Sequence, residues 1–141
     1  MPTNKRVAIL VHDGYQDLQF WYPLLRLREE GVPVTVVSAE PEKTYLSQLE
    51  YPVIPDQGIA QVAAKDFSAV FIPGGASGKF IAEEPRMQRF IKDAAANGAL
   101  LAAIAEGATA LSAAGVKGLV TAKATNDLPA FCRAFFEALK K

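Results

Sequence analysis

Apolar and polar positions follow two alternating rhythms along this chain. Residues 7–11, Val-Ala-Ile-Leu-Val, are continuously apolar, as expected of a strand covered on both faces. Residues 17–30 switch to helical spacing. Leu18, Trp21 and Leu25 share one face, and Phe20, Leu24 and Leu27 share the neighbouring one. Gly31 is placed as a helix stop, and residues 34–37 predict a second buried strand. Residues 69–72 form a third, ended by Pro73-Gly74-Gly75. Pro85 can open a helix whose apolar face holds Met87, Phe90, Ile91 and Ala94, closed by Gly98. Residues 100–104 predict the fourth core strand, 107–114 a helix of small residues, and 119–122 a fifth short strand. Asn126 or Asp127 caps a final helix, with Leu128, Phe131, Phe135 and Leu139 on one stripe.

Between these elements, residues 40–58 are polar and carry Pro41, Pro52 and Pro55. They read as a loop with one or two short strands, a small hairpin at the sheet edge. Residues 59–65 read as a short helix. Strands alternating with helices predict an α/β fold, a doubly wound, mostly parallel sheet in a three-layer sandwich, as one domain over residues 1–141. Ligands in such sheets bind beyond the carboxyl ends of the strands. Three loops are therefore expected to converge: residues 12–19, 73–79 and 105–107.

The third of these loops matters most. The run Leu100-Leu101-Ala102-Ala103-Ile104-Ala105-Glu106-Gly107-Ala108 reads as a buried strand breaking into a helix. In many α/β enzymes such a bend lifts a nucleophile clear of the sheet. The residue framed there is Ala105, whose methyl group can neither attack a carbonyl nor bind a metal.

Composition narrows the function classes. Fifteen Lys and Arg balance fifteen Asp and Glu. With no net positive field and no basic stripe, neither nucleic acid nor a membrane surface is an expected partner. The apolar segment at 7–11 is too brief for a signal-peptide core or a membrane span, and a cytoplasmic location is expected. The single cysteine, Cys132, excludes an intrachain disulfide and a cysteine-based zinc site. It reads as a small apolar residue in or near the core, with a redox-sensitive thiol as the alternative.

His12, Asp13, Asp17 and Glu106 could gather at the carboxyl edge for metal binding or acid–base work. A solvated histidine with helix-capping acids is the simpler reading, since no ligand spacing marks a metal site, and no metal or cofactor is expected. Residues 73–79, Pro-Gly-Gly-Ala-Ser-Gly-Lys, lack the spacing of a phosphate-binding P-loop. Phe20, Trp21 and Tyr22 offer more aromatic surface than one sheet face needs, which points to a homodimer interface, with core packing and sheet-edge shielding as the simpler account.

Three motifs in this order resemble the ThiJ/PfpI superfamily, which includes PfpI-type intracellular peptidases and a protein deglycase. They are the opening 13–19 (Asp-Gly-Tyr-Gln-Asp-Leu-Gln) with 22–31, the glycine turn 71–75 (Phe-Ile-Pro-Gly-Gly), and 102–108 (Ala-Ala-Ile-Ala-Glu-Gly-Ala). The resemblance implies a flavodoxin-like fold of the class I glutamine-amidotransferase-like type, and it supports a dimer. It also locates the departures. The family's cysteine nucleophile matches Ala105, and the histidine after it matches Glu106. The glutamate that hydrogen-bonds the thiol matches Gln19, a further acidic position matches Gln16, and an assisting glutamate falls near Lys79. A strand–helix–hairpin segment usual after the elbow helix is missing, which implies a shortened C-terminal region and a more open pocket.

Stripped of its thiol, such a site has backbone donors left at Gly74, Gly75, Glu106 and Gly107, with Glu106 placing negative charge beside them. The expected function is binding of a small molecule or a partner protein, with Gln19, His12 and Asp13 completing the ligand contacts at the carboxyl edge of the sheet. Two other readings stay open. One is an enzyme acting on small carbonyl compounds or peptides through Glu106 with His12 or Asp13. The other is an altered-site variant of an active cysteine-dependent member.

Overall fold

Side chains of a strand point alternately to opposite faces, and here each face carries its own core. The computed structural model describes residues 5–141. In chain order the elements are β1 (Val7–Leu10), α1 (Asp17–Glu29), β2 (Val34–Ser38), β3 (Tyr45–Leu46), β4 (Pro52–Val53) and β5 (Gln57–Gly58). Then come β6 (Ala69–Ile72), α2 (Ala76–Ala82), α3 (Pro85–Ala96), β7 (Leu100–Ile104), α4 (Gly107–Ala113), β8 (Val120–Ala122) and α5 (Leu128–Lys140). Among the described residues one six-stranded sheet forms in the order β5-β2-β1-β6-β7-β8, with all its pairings parallel.

On one face Val7, Ile9, Phe71, Ala102 and Ile104 pack with Phe20, Leu24 and Leu27 of α1 and with Phe131, Phe135 and Leu139 of α5. On the other, Ala8, Leu10, Val70, Ile72, Leu101 and Ala103 pack with Ile81 of α2, Met87 and Ile91 of α3 and Leu111 of α4. The resulting α/β/α sandwich is the flavodoxin-like architecture expected. β1, β6 and β7, the central strands, are buried at every residue, which is why they read as unbroken apolar runs.

Local differences have physical causes. The hairpin β3–β4 forms, but it is a separate two-stranded unit rather than part of the sheet edge. The edge next to β2 is β5, paired as Val37 with Gln57 and Ser38 with Gly58, and the opposite edge is β8. Residues 59–65 hold two short 3₁₀ turns, Ile59–Gln61 and Ala64–Asp66, instead of one helix. Helix α2 was expected as loop: Ser77, Gly78 and Lys79 give little helical signal. Tertiary contact supplies it. At Gly78 a Cβ would lie 2.1 Å from the Glu106 carbonyl oxygen, so a glycine lets α2 lie directly on the start of α4. Asp127 stands at the N-cap of α5, but its side chain accepts from the Lys123 amide and not from the helix. Of the two apolar faces of α1, only the one with Phe20, Leu24 and Leu27 enters the core; Leu18 and Leu25 are each more than half exposed. Among the described residues no helix is long and apolar enough to cross a membrane.

Candidate functional site

Three chain segments meet at the carboxyl end of β7, β6 and β1. Immediately after β7 the backbone turns at Ala105 with φ of 49°, a left-handed conformation that costs a non-glycine residue about 1 kcal/mol or more. The Ala105 amide donates to the Ala122 carbonyl of β8 (2.8 Å), and its carbonyl accepts from Ala108 (3.0 Å) in the first turn of α4. The strained bend is therefore held from both sides, where the sequence places it.

Opposite the bend lies the turn Pro73-Gly74-Gly75. Its two glycine amides are the donors that an oxyanion-stabilising pair would use. Both are already engaged. Gly74 N–H donates to Gln19 Oε1 at 3.0 Å and Gly75 N–H to Glu106 Oε1 at 2.9 Å. The expectation that these amides remain open for a ligand is thus corrected: side chains of the chain itself satisfy them, because a buried N–H without an acceptor is costly. Gly74 has no room for a side chain. A Cβ there would lie 2.2 Å from Gln19 Oε1, 2.8 Å from Glu106 Oε1 and 2.9 Å from the Ile104 carbonyl oxygen.

Gln19 is 4% exposed. Its amide works in both directions, accepting from Gly74 and donating from Nε2 to Thr125 Oγ1 at 3.1 Å. A neutral side chain with one donor and one acceptor suits this dry position better than a carboxylate. Thr125 lies in the 3₁₀ turn Thr125–Asp127 just after β8, and nothing in the sequence pattern marked it. Glu106 is solvent-exposed as a residue while its Oε1 faces inward. The Gly75 amide, and then its own backbone amide, hold its carboxyl below the ordinary glutamate range. It is ionised at neutral pH and a correspondingly weak proton acceptor.

The other expected site residues are placed elsewhere on the same rim. His12 packs between the rings of Tyr45 (5.3 Å) and Phe80 (5.1 Å). Its Nδ1 accepts from the Asp13 amide at 2.8 Å, and its own amide donates to Ser77 Oγ at 2.9 Å. Burial pushes the imidazole down from its ordinary value against the attraction of Asp13. Asp13 pairs with Lys43 (2.6 Å) and accepts from the Leu46 amide. Burial works to raise the Asp13 carboxyl, but the Lys43 hydrogen bond and the Leu46 amide prevail and hold it low. Asp17 accepts from Ser47 Oγ and the Leu49 amide. The gathering of His12, Asp13, Asp17 and Glu106 is corrected accordingly: two carboxylates tie down the hairpin, one caps the glycine turn, and the histidine stacks. Among the described residues no group of three or more His, Cys, Asp or Glu side chains is arranged to hold a metal ion. Gln16 caps α1, accepting from the Gln19 amide, and Lys79 is exposed on α2. The Gly107 backbone lies against the Ile72 carbonyl, where a Cβ would come within 2.2 Å. Cys132 is buried on α5, and burial pushes its thiol up to about 11, so it stays protonated.

A parallel α/β/α sandwich with a positive-φ strand–helix bend facing a glycine turn defines a flavodoxin-like protein of the nucleophile-elbow type. Residues 5–118 match the model of the DJ-1/PfpI family, and the chain belongs to that family. An uncharacterized protein of Archaeoglobus fulgidus is 31% identical over 167 aligned positions, covering 96% of this chain and 99% of the relative. Those positions outnumber the 141 residues here, so the relative carries segments that this chain lacks. Deglycase TK1284 of Thermococcus kodakarensis is 32% identical over 127 residues, covering 87% of this chain and 76% of the relative. In fold, the crystal structure of Drosophila melanogaster DJ-1beta superposes with a TM-score of 0.88 at 20% identity, covering 97% of this chain and 91% of that one.

Proposed function

We propose that this chain is a family member without cysteine-dependent turnover, acting by binding a small molecule or a partner protein. One observation carries the proposal. The backbone bend that would present a nucleophile is intact at Ala105, and the facing amides of Gly74 and Gly75 are closed by Gln19 and Glu106. The residual catalysis of about 10³–10⁴-fold over water that survives deletion of a nucleophile comes from open oxyanion donors and substrate binding, and here both glycine donors are closed. Acid–base chemistry by Glu106 with His12 or Asp13 has less support, because Glu106 is held ionised by the glycine turn while His12 and Asp13 are committed to the hairpin side.

Deglycase TK1284 suggests one activity to assay, and the resemblance to intracellular peptidases adds peptide hydrolysis. Purified protein is tested for methylglyoxal consumption and peptide hydrolysis, alone and as the triple variant Ala105→Cys, Glu106→His, Gln19→Glu. The native chain is expected to show no turnover above buffer, and the triple variant thiol-dependent turnover. Turnover by the native chain that vanishes in Glu106→Ala would replace this function with the acid–base one. The proposal includes self-association through the outer face of α1. Of the three aromatics on which a dimer was expected, Phe20 is buried in the core; Leu18 and Leu25 are each more than half exposed, and the Trp21 ring stands 5.6 Å from that of the exposed Tyr51.

A further inference from the structure

Away from the bend at Ala105, a cavity of about 620 Å³ lies between α3 and the two 3₁₀ turns Ile59–Gln61 and Ala64–Asp66. That size falls within the range of about 300–1,000 Å³ typical of small-molecule sites. Small side chains leave it unfilled: Ala60, Ala63, Ala64 and Ala96 all line it. Its apolar floor is fixed in place. Ile59, Ala64 and Phe90 are buried, and the Phe90 ring stands edge-on to that of Phe67 at 5.9 Å. The lining residues of α3, from Arg86 through Arg89, Phe90 and Asp93 to Ala96 and Asn97, follow one face of the helix for about 16 Å, or about three turns. The rim is charged unevenly. Lys65, Arg86 and Arg89 set three cations against the single carboxylate of Asp93. Arg86 is already committed, to Glu84 at 2.8 Å and to Glu40 at 3.0 Å. Lys65 and Arg89 make no ion pair among the described residues, and Asp93, one turn beyond Arg89, does not reach it.

We propose that this cavity binds a small amphiphilic carboxylate, with its apolar tail on Phe90, Ile59 and the alanines and its anionic head at Arg89 and Lys65. The division of labour follows from exposure. Arg89 and Lys65 are exposed, and exposed ion pairs contribute little. The apolar floor therefore supplies most of the affinity, and the cations set the sign of the charge accepted and the orientation of the ligand. A short anion without a tail gains too little to be held. A cationic amphiphile meets three like charges and one opposite. An elongated tail suits a hollow that follows α3 for about three turns. The inference goes beyond the non-catalytic reading above. The cavity shares no residue with the bend or the glycine turn, so it binds its ligand whatever chemistry the bend supports.

Three probes separate tail from charge. Sodium octanoate, octylammonium chloride and sodium acetate are titrated at constant ionic strength and pH 7 into ¹⁵N-labelled protein, following the amides of Val62, Ala64, Phe90 and Ala96. Octanoate is expected to shift these amides saturably, and the other two probes are not. The double variant Lys65→Gln with Arg89→Gln should weaken octanoate at least fivefold. Ala96→Phe, which fills the hollow from an exposed position and leaves every charge in place, should do the same. Lys140→Gln, on α5 across the sheet, should leave the affinity unchanged. The same spectra report whether each variant is folded. The proposal is overturned by octylammonium or acetate binding as tightly as octanoate, by no saturation with octanoate, or by shifts confined to the exposed Leu18 and Leu25 of α1. An affinity unchanged in the double variant or in Ala96→Phe overturns it equally. Those outcomes leave the absence of turnover untouched, and turnover by the native chain leaves this site untouched.

Discussion

Replacing Gln19 by glutamate tests whether Gln19 and Glu106 form a coupled pair. The Gln19 and Glu106 Oε1 atoms lie 2.2 and 2.8 Å from a common point at Gly74, so they are at most 5.0 Å apart. Two carboxylates at that separation repel by about 3 kcal/mol at an effective dielectric of 20 and by about 1 kcal/mol in bulk water. Glu106 is exposed, so solvent screening brings the term to about 1–2 kcal/mol. The new carboxylate also loses its hydration at a position 4% exposed and exchanges the Nε2 donor for an acceptor facing Thr125. Gln19→Glu is therefore expected to lower stability at pH 7 by about 2–3 kcal/mol.

The sign with pH follows from linkage. Burial and like charge both raise the folded-state value of a glutamate at 19 above its unfolded value near 4.3. Between those two values the folded state binds more protons than the unfolded state, so stability falls as pH rises through the window. The deficit is complete above it and absent below about pH 4. Urea unfolding followed by fluorescence of Trp21, the single tryptophan, measures this at pH 4 and pH 7. Adding Glu106→Gln should restore about 1–2 kcal/mol at pH 7, the repulsive share of the cycle. Equal stability of Gln19→Glu and the native chain at pH 7, or a deficit that Glu106→Gln leaves unchanged, would refute the coupling.

Other expectations follow from single features of the fold. Ala105→Gly removes left-handed strain at φ 49° and adds unfolded-state freedom, so stability should stay within about 1 kcal/mol of the native chain; Ala105→Val, β-branched at the same backbone, should lose about 2 kcal/mol in the same urea assay. His12 is pushed below 6.5 by burial, so the unfolded state takes up its proton first as pH falls; this contribution to stability is present above about 6.5 and lost as pH drops through the folded-state value, which an NMR titration of the imidazole should place below 6.5. Cys132, buried with its thiol raised to about 11, should resist iodoacetamide at pH 8 in the native protein and react on unfolding in urea; rapid native labelling detected by mass spectrometry would contradict its burial. Leu18→Lys with Leu25→Glu should shift a dimer toward monomer in sedimentation while leaving the unfolding midpoint nearly unchanged, since both side chains are already more than half exposed.

Sequence by itself determined the layers. Strands 7–11, 69–72 and 100–104 are legible because a strand covered on both faces must be apolar throughout, and 34–37, half-buried at Val34 and Thr35, is legible as a β-branched run. The amphipathic helices are legible because one face must meet the sheet. The elbow was legible too, as an apolar run stopping at Ala105-Glu106-Gly107. Tertiary structure decided the rest. Helix α2 exists because Gly78 can rest on the Glu106 carbonyl, a contact 28 positions away that local propensity does not contain. The choice of α1 face, Phe20 inward and Leu18 outward, depended on where the sheet lies. The partners of Gly74 and Gly75 were invisible for the same reason. An amide N–H takes whichever acceptor the folded chain brings within about 3 Å, and Gln19, 55 positions away, and Glu106, 31 positions away, reach them only once β1, β6 and β7 lie side by side.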